Sequence, residues 1–121
     1  MIKFKGLNQS RQFLEILKKR KLNTRYFTIY FAKDLNNTKQ NGNKNLRISF
    51  VVKKNIGNAV VRNKIKRKLK AAVQKIAKEK RLIDLNYTYV IFGRNNVYKN
   101  KFSMIFSEVN NAFERIKQIG N

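Results

Sequence analysis

The segment from Val60 to Lys70, VVRNKIKRKLK, constrains the fold of this chain more than any other. Its apolar residues recur at spacings of three and four, which predicts a helix with one narrow face packed on a core. The residues of that stripe are Val61, Ile65, Leu69, Ala72 and Ile76. Asn58 follows Gly57 and is a suitable N-cap, so we expect the helix to begin there and to end in the high seventies.

The remaining surface of this predicted helix is strongly cationic. Arg62, Lys66 and Lys70 fall one above another, and Asn63 and Arg67 form the adjacent row. Like charges at four-residue spacing repel each other and cost roughly a few tenths of a kcal/mol per pair. Because no acid is interspersed, we interpret this face as a binding surface for phosphate groups rather than as a solvated face kept for solubility.

The charge of the whole chain supports the same interpretation. Its 121 residues include 29 Lys and Arg against 6 Asp and Glu, a net charge of +23. Such a charge attracts nucleic acid. A membrane surface is the other polyanion to consider, but apolar runs such as Phe50 to Val52 and Tyr89 to Phe92 are too short to span a bilayer. The N-terminus shows no hydrophobic stretch of signal-peptide length, so we expect no membrane partner and a cytoplasmic location.

Length and composition predict a single domain over residues 1–121. A hydrophobic fraction of 42% with 12% aromatic residues supplies a core, which distinguishes the chain from a disordered basic tail. The chain has no cysteine, so disulfide bonds are excluded. We interpret the polar run from Asn36 to Lys44 as a loop between two strands.

Hydrophobic periodicity predicts the element order α-β-β-α-β-α, which is an α+β sandwich of a small sheet and helices. The strands are expected at Tyr26–Ala32, Leu46–Val52 and Tyr87–Phe92. Ser10 is expected to cap a first helix that ends near Arg20, and the last helix carries apolar residues from Phe102 onward.

The first strand carries a second signal for nucleic-acid binding. Its alternation places Phe27, Ile29 and Phe31 on the core face, and Tyr26, Thr28 and Tyr30 on the other face. Phe13 and Leu17 of the first helix are expected to line the same groove. Aromatic rings on an open sheet face stack unpaired bases with about 1–3 kcal/mol per base. The alternative is that these tyrosines only cover the sheet surface.

The residues needed for self-sufficient hydrolysis are absent or scattered. The chain has no His and no Cys, which removes the imidazole base, the thiolate nucleophile and the usual zinc ligands. Its acids lack the close spacing of a two-metal carboxylate site, and no P-loop or G-x-G-x-x-G turn occurs. We therefore expect no catalytic or metal-binding residues, and a protein that holds RNA without cutting it by itself.

The run from Lys53 to Lys70, KKNIGNAVVRNKIKRKLK, resembles the signature of the bacterial ribonuclease P protein component, roughly K-K-x-x-G-x-A-V-x-R-N-R-x-K-R-x-x-R. The resemblance extends to the strands YFTIY, LRISFVV and YVIFGR, and to Phe13 and Leu17 on the first helix. Lys64 and Lys70 stand where the family has arginine. They keep the charge but lose the planar guanidinium fork that contacts phosphate in a bidentate manner.

The resemblance implies an endonuclease in which a catalytic RNA with bound Mg²⁺ hydrolyses the phosphodiester at the 5′ end of mature tRNA within precursor tRNA. The protein would join this ribonuclease P RNA and grip the single-stranded 5′ leader. Mg²⁺ would be bound mainly by the RNA, with none held by the protein alone, and no obligate protein partner is expected. The implied fold is an α-β-β-α-β-α sandwich with an unusual left-handed β-α-β crossover, against the general handedness rule.

The resemblance also implies residues for the two RNA contacts. The residues expected to face the catalytic RNA are Lys53, Lys54, Arg62, Asn63, Lys64, Lys66, Arg67 and Lys70. The residues expected to line the leader groove are Phe13, Leu17, Thr28 and Tyr30.

Two other classes of protein stay open at this point. A structural RNA-binding protein, such as a ribosomal protein, would share the charge, size and stacking residues, although the RNKIKR spacing argues against it. An architectural protein for double-stranded DNA would need a wedge or an arm that enters a groove, and the sequence shows neither.

Overall fold

The computed structural model describes residues 4–6, 10–33, 45–79 and 83–120. The strands of this part are β1 (Phe4–Lys5), β2 (Arg20–Asn23), β3 (Phe27–Lys33), β4 (Leu46–Val51) and β5 (Tyr87–Gly93). The α-helices are α1 (Ser10–Ile16), α2 (Ala59–Glu79) and α3 (Phe102–Gly120), with short 3₁₀ helices at Lys54–Ile56 and Asn95–Val97. The strands form one sheet in the order β1-β4-β5-β3-β2.

The predicted order α-β-β-α-β-α is confirmed, and the α+β class with it. Two short strands, β1 and β2, extend the sheet at its edges without having been predicted. β1 has two residues, and β2, RKLN, contains one apolar residue, so neither shows the alternation that reveals a strand. The loop predicted from Asn36 to Lys44 lies outside the described residues.

The topology places β5 at the centre of the sheet. β5 pairs in parallel with β4 and antiparallel with β3, so it lies between two strands that precede it in the chain. Since α2 connects β4 to β5, these elements form the predicted β-α-β crossover. β1 pairs in parallel with the outer side of β4 and so forms the edge of the sheet beside α2.

The two faces of the sheet are covered unequally. A large core lies between one face and the helices α2 and α3, and it includes Phe27, Ile65 and Phe113. A smaller cluster on the other face joins α1 to β3 and β5 through Ile16, Ala32 and Val90. In the described part of the chain the one short helix α1 covers this face incompletely, and Tyr30 and Phe92 are half-buried beside it.

The basic helix α2 is anchored at its start and along its apolar stripe. The side-chain Oδ1 of Asn58 accepts a hydrogen bond from the Val61 N–H at 3.0 Å, which confirms the predicted N-cap. Ile65 and Leu69 are fully buried against the sheet. They lie close to Gly93 of β5, where an added Cβ would come within 2.8 Å of both side chains. The missing side chain of Gly93 therefore lets α2 approach the sheet closely.

One prediction for the first strand is wrong. Tyr26 was expected beside Tyr30 on the open face, but it is 2% exposed and belongs to the large core. β3 begins at Phe27, so the strand alternation does not extend to Tyr26. Thr28 and Tyr30 are half-buried and alternate with the buried Phe27, Ile29 and Phe31, as predicted.

Candidate nucleic-acid interface

A cationic groove runs between α2 and the edge of the sheet formed by β1 and β4. It is open to solvent and has a volume of about 610 Å³. The residues that line it are Phe4, Gly6, Ile48, Ser49, Phe50, Asn63, Lys66, Arg67 and Lys70. We call this surface the basic groove. It brings together four of the residues predicted to face RNA, because residues three and four apart share one side of α2.

The remaining predicted cations lie outside the basic groove lining. Arg62 is half-buried, and its Nε donates a hydrogen bond to the Gly57 carbonyl at 3.1 Å. Lys64 has its Nζ 4.9 Å from the centroid of the Tyr98 ring, within range of a cation–π contact. Lys54 is exposed in the 3₁₀ helix that precedes α2.

Lys68 holds the segment that follows β5 against α2. Its Nζ donates to the carbonyl oxygens of Val97, Tyr98 and Asn100 at 3.1, 3.0 and 2.8 Å. All three donors of the ammonium are thus engaged. Partial burial lowers the pKa of Lys68 below its usual value, and the neighbouring Lys64 ammonium lowers it further. Although it belongs to the cationic run, Lys68 serves the fold.

A second, apolar surface lies on the opposite face of the sheet, beside α1. It is formed by half-buried side chains around the small cluster of Ile16, Ala32 and Val90. These side chains are Phe13, Leu17, Tyr30, Val51 and Phe92. We call this surface the aromatic groove. It contains three of the four residues predicted to line a leader groove, from both elements that were expected to supply them.

Phe92 lies at the centre of the aromatic groove. Its ring centroid is 6.2 Å from that of Phe13 and 5.6 Å from that of Tyr30, in tilted and edge-on arrangements. The sheet register explains this position, because Phe92 is paired with Thr28 on one side and with Val51 on the other. Edge-to-face contacts hold aromatic rings in fixed orientations. The three rings therefore pack against one another and form an ordered surface.

Thr28, the fourth predicted leader residue, forms part of a polar chain at the end of this face. Its hydroxyl donates to Asn23 Oδ1 at 2.7 Å and accepts from Arg94 Nη2 at 2.9 Å. The backbone N–H of Arg94 donates to the Tyr26 carbonyl at 2.9 Å, which fixes the backbone position from which the Arg94 side chain extends. Arg94 is exposed, so it adds a cation to the face that holds the aromatic groove.

Two lysines add positive charge at the aromatic groove. Lys53 Nζ lies 6.0 Å from the Phe92 ring centroid, and Lys21 Nζ lies 6.0 Å from that of Tyr30. Both distances are at the outer limit of a cation–π contact. Lys53, which was predicted beside the cations of α2, therefore belongs to the aromatic groove.

Sequence reasoning missed five aromatic and cationic residues of these surfaces. They are Phe4, Lys21, Phe50, Phe92 and Arg94. The alternation of YTYVIFG could have placed Phe92 on the same face as Tyr30, since β5 is a regular strand. For Phe4 no local signal exists, because its position depends on pairing between β1 and β4.

Among the residues that the structure describes, no group of three or more His, Cys, Asp or Glu side chains is placed to hold a metal ion. The same part of the chain contains no helix that is long and apolar enough to cross a membrane.

Fold and surfaces together define a basic α+β protein with one cationic and one aromatic groove on a common sheet. The family model for ribonuclease P matches residues 1–117. A ribonuclease P protein component from Mesoplasma florum is 32% identical over 112 residues, covering 92% of this chain and 94% of that protein. Another from Carboxydothermus hydrogenoformans is 30% identical over 110 residues, covering 90% and 88%.

A solved structure gives the same result for the fold. The RNase P protein from Thermotoga maritima superimposes with a TM-score of 0.71 at 26% sequence identity, covering 92% of this chain and 96% of that one. The chain therefore belongs to the ribonuclease P protein family.

Proposed function

We propose that this chain binds the catalytic RNA of ribonuclease P through the basic groove and holds the single-stranded 5′ leader of precursor tRNA in the aromatic groove. The observation that carries the proposal is the separation of two chemically different surfaces onto opposite faces of one sheet. One protein can then contact two RNA segments at once, because neither surface covers the other.

The basic groove suits the folded RNA. Lys66, Arg67 and Lys70 present three cations along one wall, and phosphate contacts of this kind supply affinity without reading sequence. Of these, Arg67 offers the planar fork for bidentate phosphate contacts, whereas the two lysines act as point charges. Arg62 donates through its Nε to the Gly57 carbonyl. In the proposal it therefore has two roles, contact with the RNA and support of the start of α2.

The aromatic groove suits unpaired nucleotides. Stacking on aromatic rings requires bases that are free of a duplex, and a leader is single-stranded. Phe13, Tyr30 and Phe92 offer rings, and Lys53 and Lys21 lie beside them to neutralise the phosphates that follow. Such a surface accepts different leader sequences, because every base has a face that can stack.

In this proposal the RNA subunit performs the cleavage. Magnesium prefers oxygen ligands such as carboxylates and phosphates, and the described residues that line the two grooves include no carboxylate. We therefore assign the magnesium ions to the RNA, which hydrolyses one phosphodiester bond to give the mature 5′ end of the tRNA. The protein positions the precursor in the cytoplasm, without a membrane or an obligate protein partner.

Reconstitution with a ribonuclease P RNA and a labelled precursor tRNA tests the proposal. The protein alone should leave the precursor intact, and its addition should lower the magnesium concentration that the RNA needs for cleavage. Specific cleavage at the mature 5′ end by RNA-free protein would contradict it. If the chain were a structural RNA-binding protein, the magnesium requirement would not change.

A further inference from the structure

The basic groove has a floor as well as a cationic wall, and the proposed function uses only the wall. Phe4 of β1 and Phe50 of β4 form this floor, with ring centroids 6.3 Å apart and ring planes 22° from parallel. Both side chains are half-buried against the large core. Each ring therefore packs on the protein with one part and faces the groove with another.

The size and charge of the groove fit a ligand that has a flat ring and an anionic group. Its volume of about 610 Å³ falls within the range of about 300–1,000 Å³ that is typical of small-molecule sites. Cations line the wall opposite the rings, and the described lining includes no acid. Proteins that bind single-stranded nucleic acid combine aromatic surfaces for the bases with cations for the phosphates in this way.

We propose that the basic groove holds one unpaired nucleotide of the ribonuclease P RNA, with its base on Phe4 and Phe50 and its phosphate beside Lys66 and Arg67. This inference rests on the proposed function, because it specifies the part of the RNA that this face receives. A paired base would not serve, since its faces are covered by its neighbours in the duplex. Asn63, in the lining of the groove, offers an amide donor and acceptor for the edge of the base.

Calorimetric titration of the full chain with uridine triphosphate and with inorganic tripolyphosphate tests whether a base is recognised. Both probes carry a similar charge, but only the nucleotide carries a base. Stacking on aromatic side chains predicts that the nucleotide binds about 5- to 100-fold more tightly. Equal affinity for the two probes would overturn the proposal, because the groove would then be a phosphate site only.

Matched variants locate the base on one of the two grooves. Phe50→Leu keeps an apolar side chain but removes the flat ring, so it should abolish most of the preference for the nucleotide. Phe102→Leu makes the same change on α3, outside both grooves, and should keep the preference. Loss of the preference in Phe92→Leu, in the aromatic groove, with retention in Phe50→Leu would overturn the proposal. Melting curves accompany all of these variants, and Phe4→Leu replaces Phe50→Leu if the latter does not fold.

Assembly of the holoenzyme identifies which RNA supplies the nucleotide. Phe50→Leu should weaken binding of the protein to ribonuclease P RNA by the same factor when the precursor has a long leader and when it has none. A loss that grows with leader length would overturn the assignment to the RNA subunit. Failure of the leader proposal would give a different result. The affinity of the wild-type holoenzyme for precursor tRNA would then not depend on leader length, but the protein would still prefer the nucleotide to tripolyphosphate.

Discussion

The two faces of the sheet differ in how their surfaces are built. On the α2 side, the cations come from one continuous helix, and their positions follow from three- and four-residue spacing alone. On the α1 side, Phe13, Tyr30 and Phe92 come from three separate elements and meet only after the sheet has formed. The cationic wall of the first surface depends on charge, and the second surface depends on ring orientation.

This difference has a consequence for function. A row of cations tolerates small displacements, because electrostatic attraction falls off gradually with distance. Stacking is a contact interaction, so it needs rings that are held in place. The contacts between Phe92 and its two aromatic neighbours supply that order. We therefore expect salt to act mainly on the basic groove, and loss of the Phe92 ring to act mainly on the aromatic groove.

The largest effect is expected when the cations of the basic groove are removed together. Replacing Lys66, Arg67 and Lys70 with alanine should weaken RNA binding roughly 100-fold and flatten the plot of log affinity against log salt by about two units. Wild-type protein should give a slope of roughly −5 to −6, if about eight basic side chains contact phosphates at roughly 0.7 each. Fluorescence anisotropy across a salt series measures both quantities.

A control variant removes the same charge elsewhere. It carries alanine at Lys101, Arg115 and Lys117, which are exposed on or next to α3. This control should keep most of the affinity and of the slope. If both triple variants behaved alike, net charge alone would explain binding, and the basic groove would have no special role.

The next effect concerns the packing that positions α2. Gly93→Ala places a Cβ within 2.8 Å of Ile65 and Leu69, so these side chains, which pack α2 on the sheet, must move. Overpacking of this kind costs about 1–3 kcal/mol in the free energy of unfolding. Urea denaturation measures the loss, and affinity for the RNA subunit should fall with it. Unchanged stability would mean that α2 does not depend on this close approach.

A smaller loss of stability is expected at Lys68. Lys68→Met keeps the aliphatic chain but removes the ammonium that donates to three carbonyl oxygens. Since those carbonyls can partly rehydrate at the surface, we expect a loss of about 1–2 kcal/mol in the free energy of unfolding. Salt dependence of RNA binding should stay near that of the wild type. A marked flattening of the salt slope would show instead that Lys68 contacts phosphate.

The smallest effect is expected at the start of the basic helix. Asn58→Ala removes the side-chain acceptor for the Val61 N–H and should lower stability by about 1 kcal/mol. Asn58→Asp keeps an acceptor at this position and is the matched control. Thermal melts of the two variants compare them directly, and equal melting temperatures would exclude a role for the cap.

The sequence could predict a surface that one helix supplies better than a surface that several elements supply. The cap at Asn58, the apolar stripe and the cationic wall of α2 depend on residues close in sequence, so their pattern was sufficient. Phe4 meets α2 only through the pairing of β1 with β4, which no short pattern records. Tyr26 was assigned to the wrong face because β3 begins one residue later than predicted, at Phe27.

A helical projection of the sequence also could not predict the roles of the individual cations on α2. Lys66 and Lys68 are two residues apart in one basic run, yet the first lines the basic groove and the second is engaged by backbone carbonyls. Their difference depends on the segment after β5, which packs beside α2 only in the folded protein. The departures at Lys64 and Lys70 show the same point, since only Lys70 lines the groove.

The separation of the two RNA contacts is the central claim, and titration of the reconstituted holoenzyme with two substrates tests it most directly. Tyr30→Ala should weaken binding of precursor tRNA with a leader of several nucleotides by about 1–3 kcal/mol, and barely affect a leaderless tRNA. Arg67→Ala should weaken assembly with the RNA subunit to the same extent for both substrates. Equal losses for the two substrates in Tyr30→Ala, together with a lower melting temperature, would show that Tyr30 only covers the sheet and would contradict the account.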